Sequence, residues 1–253
     1  MSEFLSALRS GFGFLTTIPV GITMEGIERL MRHIYLFPVI GAVLGIILAV
    51  IGLISSLILP PIVTAFVIIL SIYYFTGFNH IDGLADFGDG IASHGTREKK
   101  IAAMRDTSVG TGGLILCMVA ILGVFSSLFS LIETNMLPLP FVLITAETSA
   151  KQSMVTVAAF GRKLHEGFGS ITIDNTKRSD FIAGMVFSGM VCYLLLGIPG
   201  AGALIISQLS GLLVLNTANH HFGGASGDVV GASNEVGRLT ALLFLGGIAW
   251  MQL

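Results

Sequence analysis

Between Ile34 and Leu59 the sequence contains no Asp, Glu, Lys or Arg. The same holds for Pro61 to Phe78, Ser108 to Ile132, Phe181 to Ile198, Ala201 to Asn219 and the shorter Leu239 to Leu253. A further run, Leu137 to Phe160, is interrupted only by Glu147 and Lys151. These runs constrain the fold more than any other feature, because a helix of about 17 to 25 apolar residues crosses a hydrocarbon core of about 30 Å. They are continuous rather than alternating, which excludes a membrane β-barrel. With only 11% of residues charged, too little polar surface is left to cover a water-soluble globule. The expected fold is all-α: one integral membrane domain over residues 1–253, a polytopic helical bundle of six to seven transmembrane helices.

The first 33 residues carry Arg9, Arg29 and Arg32 and lack a small-residue cleavage site after a compact apolar core. They read as an interfacial or partly inserted amphipathic segment rather than a removed signal. A net charge of -2 and a pI near 6.3 provide no basic surface for nucleic acid. Cys117 and Cys192 lie inside apolar runs and read as buried hydrophobes, not as a bridge or a metal site.

Connections between the runs are short and nearly uncharged on one side and long and polar on the other. If the residues before Ile34 are cytoplasmic, segments 79–107, 161–180 and 220–238 share their side. Arg9, Arg29, Arg32, Arg97, Lys99, Lys100, Arg105, Arg162, Lys163, Lys177, Arg178 and Arg238 then fall on one face, twelve of the 13 basic residues. The positive-inside rule makes that face cytoplasmic, and the expected location is the cell membrane with the active face in the cytoplasm.

Three polar islands carry the chemistry. In the first, His80-Ile81-Asp82-Gly83-Leu84-Ala85-Asp86-Phe87-Gly88-Asp89-Gly90, the aspartates stand at i, i+4 and i+7. On a helix they form one acidic stripe whose like charges repel. A cation should compensate, and hard carboxylate oxygens suit Mg²⁺ or Mn²⁺, which are commonly shared with substrate phosphates. Gly83 leaves room for a substrate or another backbone to come close. In the second island, Arg97, Lys99 and Lys100 suit anionic headgroups. Arg105 and Asp106, ahead of Gly110-Thr111-Gly112-Gly113, suit phosphate. The third island, His220 to Glu235, surrounds Asp228 with Gly223, Gly224, Gly227 and Gly231. Both glycine-rich islands adjoin membrane helices on one face, so they are expected to build one site, with Asp228 completing the metal or substrate shell of the first aspartates. Glu147 and Lys151 make an intramembrane pair, read either as structural neutralisation or as a substrate contact. Arg162, ahead of Gly167-Phe168-Gly169, is placed to close over an anion.

His80 to Gly90, Met104-Arg105-Asp106 and Gly223-Gly224-Ala225-Ser226-Gly227-Asp228-Val229-Val230-Gly231-Ala232 together resemble the motifs of the cobalamin (5'-phosphate) synthase family, also called adenosylcobinamide-GDP ribazoletransferase. The resemblance extends over nearly the whole chain. It implies Mg²⁺-dependent joining of adenosylcobinamide-GDP to α-ribazole or its 5'-phosphate, with release of GMP. Asp82, Asp86 and Asp89 would hold the metal against the diphosphate, and one of them or His80 would accept the proton of the attacking hydroxyl. The implied partners are the corrinoid nucleotide and ribazole substrates, the lipid bilayer, and a second copy or other cobalamin-assembly enzymes. The chain departs from the family pattern at Thr107-Ser108, where Ser-Arg is frequent. It departs again at His220-His221, where an arginine commonly precedes the glycines, and at Ser226, where threonine is preferred. Lys99, Lys100 and Arg162 are the alternative phosphate contacts. The rival readings are a prenyltransferase or CDP-alcohol phosphotransferase, also with aspartate-rich helices, and an ion-coupled transporter built on Glu147 and Lys151.

Overall fold

The computed structural model describes residues 3–164 and 168–251. Among them are eleven helices: α1 Glu3–Leu15, α2 Met24–Met31, α3 Phe37–Ile58, α4 Pro61–Thr76, α5 Asn79–Ala92, α6 Arg97–Met104, α7 Thr111–Thr134, α8 Leu139–Phe160, α9 Phe168–Asn175, α10 Arg178–His221 and α11 Gly227–Met251. The all-α bundle is therefore as expected. The single β feature among the described residues is a bridge between Lys163 and Ala225.

α10 is two helices joined at Gly197, whose φ of 61° and ψ of -137° break the helix two residues before Pro199. Its packing shows that the chain reverses there. Before the break, Gly184 lies on Gln152 and Cys192 lies on Ser149; after it, Ser207 returns to Ser149 and Gly211 to Ser153. The two expected spans on either side of Gly197 thus form a hairpin against α8. Helix Thr111–Thr134, the Ile34–Ile58 stretch and α10 are each long and apolar enough to cross a membrane; α4 with α5, bent by 93°, is a further candidate.

α8 is the hub of the bundle. From Val142 to Ala158 every residue except Ile144 is buried, because α3, both limbs of α10 and α11 surround it. α3 approaches closely through the small pair Gly41 and Gly45. A Cβ at Gly41 would stand 2.5 Å from the Glu147 carbonyl oxygen, and one at Gly45 2.5 Å from the Ile144 Cα. Small residues four apart let helix backbones pack at this distance, which gains dispersion energy where lipid offers no hydrophobic drive.

Two expectations need correction. Residues 227–238 belong to a helix rather than a polar loop, and the last segment is 25 residues long instead of the short Leu239 to Leu253. The reason is that its polar side chains find partners inside the bundle. Arg238, counted above among the cations of one face, is only 1% exposed and is paired with Glu147 and Glu235. The amino-terminal segment packs onto the bundle. Leu15, Leu30 and Met31 enter the core, and Thr17 donates through its amide to the Phe75 carbonyl at 2.7 Å and through Oγ1 to Tyr74 at 2.8 Å. Those two bonds satisfy carbonyls at the end of α4 that have no intrahelical donor.

Candidate active site

α4 ends at Gly77, whose φ of 64° is readily adopted only by glycine. The chain then turns through 93° into α5, which lies across the end of the bundle, against the starts of α7 and α11. Asp82 falls in the first turn of α5, where the positive end of the helix dipole favours a carboxylate. Asp82 is exposed and Asp86 and Asp89 are half-buried along the same side, while His80, Leu84 and Phe87 face inward.

The second glycine-rich island arrives on top of this helix. α11 starts at Gly227 and crosses α5 where a Cβ on Gly83 would stand 2.9 Å from the Asp228 carbonyl oxygen and 3.0 Å from its Cα. Both are backbone atoms that cannot swing aside, so a residue without a side chain at 83 sets the crossing. Asp228 accepts a hydrogen bond from Ser226 Oγ at 3.0 Å through Oδ2. Phe87 of α5 stacks edge-on with Phe222 at 6.0 Å between ring centres. Segments more than a hundred residues apart in sequence are thereby one surface.

The acids act on one another electrostatically. The Asp86 carboxyl is pushed up to about 7, by burial first and then by the negative charges of Asp228, Asp82 and Asp89. Asp89 has a structural partner: its two oxygens accept the Gly110 amide at 2.7 Å and the Gly113 amide at 2.8 Å, which caps the start of α7. Asp82, Asp86 and Asp228 have no ion-pair partner among the described residues. His80 is buried with Nδ1 lacking a hydrogen-bond partner. Burial, and then the charges of Lys151 and Arg238, hold it well below the ordinary histidine range, so it is neutral.

A cavity of about 300 Å³ opens here. Asn79, His80, Asp82, Gly227, Asp228 and Gly231 line its polar side; Phe14, Phe37, Met154 and Val230 line its apolar side. Phe14, Phe37 and Met154 went unrecognised in the sequence, where they read as ordinary apolar positions. A pocket with an apolar wall and a few convergent polar groups is the usual form of a small-molecule site.

The other predicted residues are distributed around it. Asp106 accepts the Ser108 amide at 2.8 Å and, with Asp89 and Gly110, borders a separate depression beyond the end of α5. Arg105 caps α6 and is exposed. Gly223 and Arg162 line a second cavity, and a Cβ on the neighbouring Gly224 would stand 2.6 Å from the Arg162 carbonyl oxygen. Of Gly167-Phe168-Gly169, Gly167 lies outside the described residues. Glu147 and Lys151 do not line the 300 Å³ cavity. Lys151 Nζ donates to Asn234 at 2.7 Å and stands 3.8 Å from Glu147, while Arg238 bonds both Glu147 and Glu235. Two acids and two bases thus neutralise one another in the interior, the arrangement that makes buried charge tolerable. Cys117 and Cys192 are free thiols.

Among the described residues, no group of three or more His, Cys, Asp or Glu side chains is gathered tightly enough to enclose a metal ion. The donor set nevertheless fits Mg²⁺. That ion keeps several waters and needs only one or two carboxylates together with substrate phosphates. Here three carboxylates share one region without a protein cation.

The family model described as cobalamin-5-phosphate synthase matches residues 7–246. The chain is 42% identical over 280 aligned residues to a Methanosarcina mazei protein named adenosylcobinamide-GDP ribazoletransferase, covering 100% of both chains. Proteins of the same name from Methanosarcina barkeri and Methanococcoides burtonii are 44% and 40% identical; the alignments cover 97% and 100% of this chain and 93% and 100% of theirs. No solved structure matches.

Proposed function

The chain belongs to the cobalamin-5-phosphate synthase family, and from that premise we propose that it joins ribazole to adenosylcobinamide-GDP where α5 crosses α11. Its place is in cobalamin synthesis, as an adenosylcobinamide-GDP ribazoletransferase. The observation that carries the location is the contact of Gly83 with Asp228, which brings Asp82, Asp86 and Asp228 together without a counter-charge.

In the transfer, a ribazole hydroxyl oxygen forms a bond to the cobinamide-side phosphorus. The bond from that phosphorus to the bridging oxygen breaks, and GMP leaves with that oxygen while the hydroxyl proton passes to a carboxylate or to water. One or two of Asp82, Asp86 and Asp228 would hold Mg²⁺, which when bound neutralises diphosphate charge and stabilises the leaving group. The first amides of α11, at Gly227 and Asp228, lack intrahelical acceptors and favour phosphate oxygens. His80 borders the cavity, and its buried Nδ1 has no hydrogen-bond partner in the protein. Phe14, Phe37 and Met154 bury the apolar part of the ligand and exclude water. Asp89 acts on the site by holding the start of α7 against α5. The face bearing this site is the cytoplasmic one, a reading supported by the cations of α6, the Arg162-Lys163 segment and the start of α10.

GMP release by the full-length protein in detergent tests the reading. With adenosylcobinamide-GDP and ribazole, turnover should require Mg²⁺ and stop with chelator. Asp82→Asn and Asp86→Asn should each lose about 10²–10³ in rate, the scale for removing one group that stabilises transition-state charge. Turnover that persists in chelator, or in both variants, removes the aspartates from the site.

A further inference from the structure

The apolar wall of the 300 Å³ cavity is built from three elements that are far apart in sequence: Phe14 comes from α1, Phe37 from α3 and Met154 from α8. All three lie outside the His80 to Gly90, Met104 to Asp106 and Gly223 to Ala232 segments. Phe37 and Met154 are fixed in the core, 1% and 3% exposed, whereas Phe14 is half-buried. Asp82 and Asp228 border the same space, so an apolar group lodged against this wall has the carboxylates beside it.

Phe14 is held there by the residues that follow it. Leu15 is buried in the core, Thr16 Oγ1 donates to the Phe12 carbonyl, and the Thr17 amide donates to the Phe75 carbonyl at 2.7 Å. The amino-terminal segment is thus anchored on α4 within three residues of the cavity it helps to close. His80 borders the cavity as well, and its buried Nδ1 has no partner in the protein, which leaves one imidazole nitrogen beside the ligand space uncommitted.

Three parts of the two substrates have ring systems to bury: the corrin, the guanine and the benzimidazole base of ribazole. The corrin macrocycle with its rim of amide side chains is too large for a cavity of about 300 Å³. Guanine carries a carbonyl and two N–H-bearing positions along one edge, which an apolar wall would leave unpaired. The benzimidazole base has carbon and methyl groups on its outer edge and a single free ring nitrogen. An in-line displacement also puts the leaving nucleotide on the opposite side of the phosphorus from the attacking hydroxyl, so the two nucleosides occupy different places. We propose that Phe14, Phe37 and Met154 bind the base of the acceptor nucleoside and select benzimidazole over purine, with the ribose lying toward Asp82 and Asp228. The assignment rests on the transferase reading above and adds the residues that decide which base is joined, together with a task for the amino-terminal segment.

The test measures GMP release by the full-length protein in detergent with acceptors that differ only in the base: ribazole and the α-linked nucleosides of unsubstituted benzimidazole and of adenine. Wild type should use ribazole best and the adenine nucleoside least. Phe14→Leu, Phe37→Leu and Met154→Ala should each lower kcat/KM for ribazole by about tenfold or more, the scale of one lost base–aromatic contact or of a small gap in an apolar pocket. Each should also narrow the preference for ribazole over the adenine nucleoside. The KM for ribazole should rise, with that for adenosylcobinamide-GDP little changed. Ribazole titrated in chelator should bind each variant more weakly than wild type, with melting curves showing that the variants are folded. If Phe37→Leu does not fold, Phe14→Leu at the half-buried edge of the wall decides. A wild type indifferent to the base, equal loss with every acceptor, or unchanged ribazole binding in the variants overturns the assignment. A KM increase confined to adenosylcobinamide-GDP gives the wall to the other substrate and overturns it as well. If wild type releases GMP with none of the acceptors, the transferase reading itself fails.

Discussion

At Asp86, burial and three neighbours of like charge keep the carboxyl near pH 7 instead of in the usual carboxylate range. The sign of the consequence for stability follows from linkage. A carboxyl with a raised folded-state value holds its proton more tightly when native, so the stability cost is absent below the unfolded value, grows as pH rises, and is complete above about 7. Asp86→Asn should therefore melt higher than wild type at pH 8 in chelator, by about 1 kcal/mol once solvent screening of this half-exposed group is allowed for. The difference should vanish near pH 4, and Mg²⁺ should stabilise wild type but not the variant. A variant that melts lower than wild type at pH 8 would show that the charge is compensated. The stripe itself was legible in the sequence, because three aspartates at helical spacing admit few other arrangements. Asp89's role as a cap was not, since the Gly110 and Gly113 amides that bind it lie on another helix. The place of Arg97 was not legible either, since nothing in sequence links it to Gly223, on whose backbone its guanidinium lies.

Among the elements, the charge-free runs marked α3, α4, α7 and both limbs of α10, since hydropathy reports a helix that faces lipid. It fails for α11. Asn234, Glu235 and Arg238 look like the polar margin of a span, yet the Glu147 that pairs with Arg238 lies 91 residues away on α8. Polar residues satisfied across a bundle cannot be distinguished in sequence from polar residues at a surface. The α5–α11 crossing is the element-scale feature on which function turns, and Gly83 tests it. Gly83→Ala puts a methyl against the Asp228 backbone, which must shift by several tenths of an ångström. Rates fall steeply when reacting groups are displaced on that scale, so turnover should drop by about tenfold or more while Gly247→Ala, with open space around it, stays near wild type. Equal turnover in the two variants would mean that the crossing does not position the site.

In the whole molecule, α8 carries the neutralised interior and α5, α6 and the loop before α11 form one end, where unpaired charges of both signs are exposed to ligand. We propose that this end faces the cytoplasm, as its cations suggest by the positive-inside rule. A cysteine replacing Ser93 should be protected from an impermeant reagent in intact cells and react after permeabilisation; reaction in intact cells would invert the topology. The central claim is that α5 and α11 supply one unit for handling metal and phosphate. Residues acting as one unit are non-additive. The most direct measurement is a double-mutant cycle on the rate of GMP release with Asp82→Asn and Asp228→Asn. Each single variant should lose turnover to a similar degree, and the double variant should be no slower than the worse single. Near wild-type release by Asp228→Asn, or losses that multiply in the double variant, would contradict a shared site.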